Sequence, residues 1–375
     1  MRITHVRTFP VVVPLRPERL MLSSLGLHDV SRYLLVRVET DAGVDGAGEA
    51  TTMLRWSGES MWGAQALIEH VIAPRLAGCD PRDIHRVNEI LDAAAWGNWF
   101  AKAAIEMACW DIRGKEEGKP VYELLGGAVR DATIRCRFSM GAFDPPRAAE
   151  LARELVAEGF TTLKIKVGSG IEADLARIRA VREAADSLKA ELQLVLDANA
   201  AYEPAVAIEL ANRTEEFGIG LFEQPTPRGD FAGLAEVRRA IRPQVMADEL
   251  CFDLADVRNC VRHEACDVIG IYPGKNGGIA KSLHIAEYAA EHGLACSLGS
   301  NLELDVGTAA MAHLTRACPN LQVEKYPGDM LGPSYHAASI AKNPIAITGP
   351  FVECPTGPGL GVEVDWAAVE RHAAK

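Results

Sequence analysis

"FTTLKIKVG", residues 160–168, sets Lys164 and Lys166 two positions apart inside an apolar run of Leu163, Ile165 and Val167. In a β-strand successive side chains point to opposite faces, so the two ammonium groups share one face and the apolar residues take the other. If both faces are covered, two like charges lie together in a protein interior. That costs free energy unless anions lie opposite them. From this stretch alone a half-exposed strand with a solvated lysine face is the better account, so its surroundings decide.

From about residue 132 short apolar runs alternate with helical segments. The runs are "TIRCRFSM", "TTLKIKVG", "LQLVLDANA", "GIGLFEQP", "QVMADEL", "DVIGIYPGK", "LACSLGS" and "LQVEKY", and amphipathic stretches such as "PPRAAELARELVAEG" lie between them. Eight strand candidates joined by helical crossovers imply a parallel sheet, and with both faces covered it closes naturally into a (β/α)₈ barrel. Upstream, residues 1–50 read as strands, and "NWFAKAAIEMACWDIRGKEEGKP" has helical spacing with Gly118 and Pro120 as its stop. The Gly- and Pro-rich tail "ITGPFVECPTGPGLGVEVD" is expected to return to the N-terminal domain.

Chemistry in such a barrel collects where strands run into the following loops. The third candidate ends in Asp197 and Asn199, the fourth in Glu223, the fifth in Asp248 and Glu249, and the sixth in Lys275. The separations of 26 residues (197 to 223) and 25 residues (223 to 248) each match one helix-plus-strand repeat. A single acid there could merely cap the next helix. Three on successive strands, with lysines on both sides, converge at one place and call for a cation. Oxygen ligands without His or Cys favour Mg²⁺ or Mn²⁺. A divalent ion beside lysines suits removal of a proton next to a carboxylate through an enediolate, with Lys166 and Lys275 addressing opposite faces and Lys164 helping to hold the charge.

The 375-residue chain is 48% hydrophobic and 24% charged, with a formal net charge of −12. That is ordinary globular composition, and the acidic balance argues against a nucleic-acid or anionic-membrane partner. No stretch approaches the roughly 18 apolar residues of a spanning helix. Nine dispersed cysteines without a CxxC pair fit a reducing compartment, and "MRITHVRTFPVVVPL" lacks signal-peptide features, so a cytoplasmic location is expected.

With these motifs in order, the sequence resembles the enolase superfamily, and within it the muconate-lactonizing-enzyme subgroup of the mandelate racemase/muconate lactonizing enzyme family. The resemblance rests on "GEATT" (48–52), "FAKAAIEMACWDIRGKEEGKPVYELLGG" (100–127), "KIK" (164–166), "DAN" (197–199), "EQP" (223–225), "ADE" (247–249), "GKNGG" (274–278), "NLEL" (301–304) and "GPGLGVEVD" (357–365). It implies an α/β chain with a modified (β/α)₇β TIM barrel over residues 129–344. An N-terminal α+β capping domain would cover residues 1–128 and be completed by the tail from about 345 to 375. It further implies Mg²⁺ on Asp197, Glu223 and Asp248 and acid/base lysines at Lys166 and Lys275.

The sequence departs from neighbouring subgroups in three places. Where a mandelate-racemase-like member carries a His, the seventh strand reads "CSLGS". In place of the paired aspartates of dipeptide epimerases on the last strand, Glu324 stands, followed by Lys325. Pro273 and Gly274 interrupt strand alternation before Lys275. Specificity is expected in the loops around 16–30 and 51–58, where Leu20, Met21, Leu22 and Trp56 suggest an apolar cover and Arg19, His28 and Arg55 a second polar contact. Asn199, Glu249, Glu324, Trp56 and His28 are therefore expected around the substrate.

The leading expectation is a muconate-type cycloisomerase acting on a small carboxylic acid, in an assembly of identical subunits. A racemase or epimerase of an amino-acid derivative, or an acid dehydratase, would use the same lysines. A small-acid-binding protein without chemistry would have no need of two bases.

Overall fold

The computed structural model describes residues 1–374. Three N-terminal strands, β1 (Ile3–Pro14), β4 (Val30–Thr40) and β5 (Asp45–Ala50), form an antiparallel sheet in the order β1-β4-β5. Between the first two lies the hairpin of β2 (Met21–Ser23) and β3 (Gly26–His28). Pro10 and Pro14 are tolerated because β1 is an edge strand, and the tail covers that edge through Val12 N–H donating to the His372 carbonyl.

The barrel strands are β7 (Phe138–Met140), β8 (Thr162–Lys166), β9 (Gln193–Asp197), β10 (Ile219–Glu223), β11 (Gln244–Ala247), β12 (Val268–Ile271) and β13 (Ala295–Leu298), all parallel and in sequence order. Helices between them cover the outer face, which makes this the expected (β/α)₇β TIM barrel. In β8 the parity holds: Leu163 and Ile165 are buried, and Lys164 and Lys166 turn to the opposite, inner face. Two residues below Asp197, Glu223 and Asp248, the inner-facing Val195, Leu221 and Met246 meet Val268 and Tyr326 in a small apolar plug. The acids thus stand on a dry floor.

Two strand expectations need correction. The run "TIRCRFSM" is not one strand. Its first part, β6 (Thr133–Arg135), pairs antiparallel with a tail strand, β15 (Phe351–Glu353), which also carries β14 (Ile347–Thr348), and only Phe138–Met140 enters the barrel. The run "LQVEKY" is not a regular strand. It touches β13 by a single bridge at Leu321, and then a turn in which Tyr326 N–H bonds to the Gln322 carbonyl leads to a second bridge from Gly328 to Cys136. These bridges complete the ring between β13 and β7.

The long helix Trp99–Glu117 lies on the N-terminal sheet and stops at Gly118, whose φ of 67° is the left-handed cap that glycine adopts at little cost. The helix comes unusually near β5. A Cβ on Gly46 would sit 2.0 Å from the Ala108 carbonyl oxygen, and one on Gly48 would sit 1.7 Å from that of Ala104. The same two elements carry acids across to the barrel. Glu49 accepts from Leu304 N–H (2.7 Å) and Gly307 N–H (2.9 Å) at the start of helix Asp305–Ala317. Glu106 accepts from Ile279 N–H (2.8 Å) and Ala280 N–H (2.9 Å) at the start of helix Ile279–Glu291. Each buried carboxyl meets the orphan donors and positive end of a helix, which offset part of the burial that pushes both groups up, Glu49 to about 8. Among the described residues no helix is long and apolar enough to cross a membrane.

Gly48→Ala tests the close approach: the methyl would displace the helix backbone, so stability should fall by about 1–3 kcal/mol. A lower urea midpoint with an unchanged m-value is the expected result.

Candidate active site

The acids reach one level because the strands that carry them are in register. Lys166 pairs with Asp197 across β8 and β9, and Asp197 with Glu223 across β9 and β10. Asp248 follows directly on β11. Lys164 Nζ lies 3.0 Å from both Asp197 Oδ2 and Glu223 Oε1. Lys166 Nζ lies 2.5 Å from Asp197 Oδ2 and 2.8 Å from Asn199 Oδ1. Lys275 Nζ donates to Asp248 Oδ1 (2.8 Å), the Asp248 carbonyl (3.0 Å) and the Gly270 carbonyl (2.5 Å). The irregular "YPGK" segment therefore still delivers Lys275 to the acids.

This interleaving sets the protonation states. Burial pushes the Asp197 carboxyl up, but Lys166 and Lys164 more than reverse it and hold it below the ordinary carboxylate range. Burial works against charge on Lys164, yet Glu223 and Asp197 outweigh it and raise the ammonium above the usual lysine range. Glu249 is pushed up to about 8, by burial first and then by Asp248 and Asp197.

Glu249 also ties the site to its cover. Its Oε1 accepts from Asn199 Nδ2 (2.9 Å) and from Trp56 Nε1 (3.0 Å), giving a continuous path from Lys166 through Asn199 and Glu249 to Trp56. Gln224 of "EQP" is buried, and its Oε1 accepts from Asp248 N–H (3.0 Å) and Leu250 N–H (3.2 Å), so it shapes the loop that presents Asp248.

Over the acids lies a cavity of about 280 Å³, with Lys164, Lys166 and Asp248 in its floor and Met21, His28, Arg55 and Trp56 in its cover. His28 Nε2 is 3.0 Å from Ser31 Oγ, which is 2.8 Å from His336 Nε2. Burial lowers both imidazoles to about 4. Arg55 lines the cavity and donates to the Leu25 carbonyl, whereas Arg19 packs over the Phe138 ring.

Glu324 is placed elsewhere. Because the last run turns after Leu321 and does not continue as a strand, the Glu324 side chain is 67% exposed and pairs with Arg130 at 2.9 Å, outside the cavity. The acid that lines the cavity on this side is Asp329, whose Oδ2 accepts from Ser139 Oγ at 2.5 Å. Beneath it Arg137, fully buried, donates to Glu223 Oε2 at 2.7 Å while its Nε and Nη1 have no partner. Sequence reasoning missed all three residues. Arg137 and Ser139 alternate in "RFSM" as the lysines do in "KIK", so strand parity could have found them. Asp329 sits in a loop, where parity carries no signal.

Asp197, Glu223 and Asp248 form an all-oxygen, anionic donor set, which fits a hard divalent cation. Among the described residues no three acidic, His or Cys side chains already enclose one point at ion-binding distance. Lys164, Lys275 and Arg137 take carboxylate oxygens there instead.

Comparison with known proteins places these features in a family. Residues 3–126 match the mandelate racemase/muconate lactonizing enzyme N-terminal domain, and residues 147–368 match the enolase C-terminal domain-like family. The chain is 36% identical over 299 residues to a hydrophobic dipeptide epimerase of Enterococcus faecalis, covering 80% of this chain and 83% of that protein. It is 33% identical over 373 residues to muconate cycloisomerase 1 of Rhodococcus opacus, covering 98% and 97%. The crystal structure of an N-succinyl Arg/Lys racemase from Bacillus cereus superposes with a TM-score of 0.94 at 27% identity, covering 100% of this chain and 99% of that one.

The histidines under the cover give a pH dependence of stability. The unfolded chain takes up protons near pH 6.5, whereas folded His28 and His336 do so near 4. The contribution is complete above 6.5 and is lost as pH falls toward 4, by at most about 1.4 kcal/mol per pH unit for each group. His336→Asn should therefore show a shallower fall in urea midpoint between pH 6.5 and 4 than the unaltered protein.

Proposed function

The chain belongs to the mandelate racemase/muconate lactonizing enzyme family of metal-dependent isomerases in the enolase superfamily, and from that premise we propose that it is a cycloisomerase of a muconate-type diacid. The observation that carries this reading is the inequality of the two flanking lysines. Lys166 lines the cavity with its side chain 11% exposed, whereas Lys275 is fully buried and donates to three acceptors. An ammonium group has three donors, so Lys275 has none left for a substrate. Proton transfer on one face of a carbon needs one accessible base, while inversion of a stereocentre needs a group on each face.

In the proposed reaction one carboxylate of the diacid adds to the double bond conjugated with the other. The carbon beside that second carboxylate then takes a proton from the Lys166 ammonium, leaving the amine, and the reverse reaction returns the proton to it. Asn199 Oδ1 and Asp197 Oδ2 orient Lys166 toward the cavity. Lys164 bridges Asp197 and Glu223, and Lys275 holds Asp248, so both are engaged with the acids. Asp197, Glu223 and Asp248 would hold Mg²⁺, with Mn²⁺ as its substitute, and the ion supplies positive charge where negative charge develops on the substrate carboxylate. Trp56, anchored to Glu249, excludes water above the reacting carbon.

A second reading, racemisation or epimerisation of an amino-acid derivative, is favoured by the dipeptide epimerase relative. It requires Lys275 to reach the substrate.

With a muconate-type diacid in D₂O, Lys166→Ala should lose proton transfer by about 10²–10⁴-fold, the usual contribution of a general acid–base group. Lys275→Ala should lower turnover without abolishing exchange at the product carbon. Solvent exchange of both enantiomers of an N-acyl amino acid, each dependent on a different lysine, would replace the cycloisomerase with the second reading. Exhaustive chelation should abolish turnover and added Mg²⁺ restore it, and Asp197→Asn should remove calorimetric Mg²⁺ binding while the far-UV spectrum is kept.

A further inference from the structure

A larger cavity, about 400 Å³, opens at the seam between the helix Trp99–Glu117 and the barrel helix Ile279–Glu291. It shares no lining residue with the cavity over the acids. We propose that it is a second binding site, selective for a small planar carboxylate.

Charge is the first argument. Lys102 Nζ lies 3.2 Å and Lys281 Nζ 2.5 Å from the same oxygen, Asp92 Oδ1. Two ammonium groups share one carboxylate, and the other acid in the lining, Asp253, pairs with neither of them because its Oδ1 accepts from the Ala255 and Asp256 amides at a helix start. Lys102 is 2% exposed, and the bond to Asp92 is its one pairing among the described residues. A buried ammonium with donors to spare is costly, and an entering anion would satisfy both it and Lys281. Burial and the neighbouring Lys281 charge already weaken proton binding at Lys102, in spite of Asp92.

Shape is the second. Lys102 and Lys281 stand 5.0 Å and 5.7 Å from the centroid of the Trp99 ring. At the mouth, Trp96 is 90% exposed, an indole left in water beside the cationic wall. An inorganic anion would answer the lysines and leave the Trp96 indole uncovered. A flat, largely apolar body ending in a carboxylate answers both, and the volume falls in the range of small-ligand pockets.

Benzoate is the probe, followed by calorimetry and tryptophan fluorescence on the intact protein, with benzamide as its uncharged counterpart. Saturable binding is expected, with benzamide about tenfold weaker, as loss of one charge-assisted hydrogen bond implies. Lys281→Gln should weaken benzoate by a similar factor, and Trp96→Ala should remove most of the fluorescence change. Trp96 is so exposed that its removal spares the fold, which keeps the test valid if Lys281→Gln does not fold. Lys166→Ala should leave this binding intact. Benzoate binding that vanishes in Lys166→Ala and survives in Lys281→Gln would assign the ligand to the active site and overturn the proposal. Equal affinity for benzamide, or no binding in the millimolar range, would also overturn it. So would an assembly that depends on Trp96, seen by sedimentation without benzoate binding, since a second copy would then occupy the site.

Discussion

Mutual neutralisation of acids and cations above the apolar plug is the constraint on which the site depends. Asp197, Glu223 and Asp248 stand directly over Val195, Leu221 and Met246, each no more than 5% exposed, so water screens them little. In a medium of that kind an unpaired carboxylate changes its protonation state or destabilises the fold. Lys164, Lys166, Lys275 and Arg137 are placed so that each meets one of these acids within hydrogen-bond distance. The lysines that looked misplaced in "KIK" therefore balance the charge of the acids beside them. The arrangement also explains why the two flanking lysines differ. Lys275 is held by carbonyls at the base of the loop, and Lys166 is held by side chains that face the cavity.

Much of this could be read from the amino-acid order because strand parity and the repeat length are short-range properties. The spacing from Asp197 to Glu223 to Asp248 follows from one helix and one strand each, and burial of both sheet faces follows from apolar runs between amphipathic helices. What escaped the reading depends on long-range pairing. Glu324 looked like a strand residue, but the turn after Leu321 sends it to Arg130. Asp329 reaches the cavity where Gly328 bridges to Cys136 and the Asp329 N–H bonds to the Leu298 carbonyl, which sets it beside Ser139. The split of "TIRCRFSM" was equally hidden, since β6 is drawn away by a tail strand more than two hundred residues later.

The cover is joined to the chemistry through side chains as well as by packing. Glu249 bonds to Asn199 below and Trp56 above, so a change in the short helix Leu54–Ser57 is felt at the residue that orients Lys166. Its Oε2 has no protein partner. The cover and the lysines of "KIK" thus share one buried side chain, Glu249, and substitutions in the cover will also disturb Asn199 and, through it, Lys166.

Glu49 and Glu106 have a bearing on how such proteins can diversify. Both are supplied by the N-terminal unit, and both complete the first turns of barrel helices. A barrel grafted onto a foreign cap would leave those amides facing a dry seam with nothing to accept them. A replacement cap would have to bring a hydrogen-bond acceptor to each of the same two points. New substrates would then arise more readily from point changes in the loops over the cavity than from shuffling of whole modules.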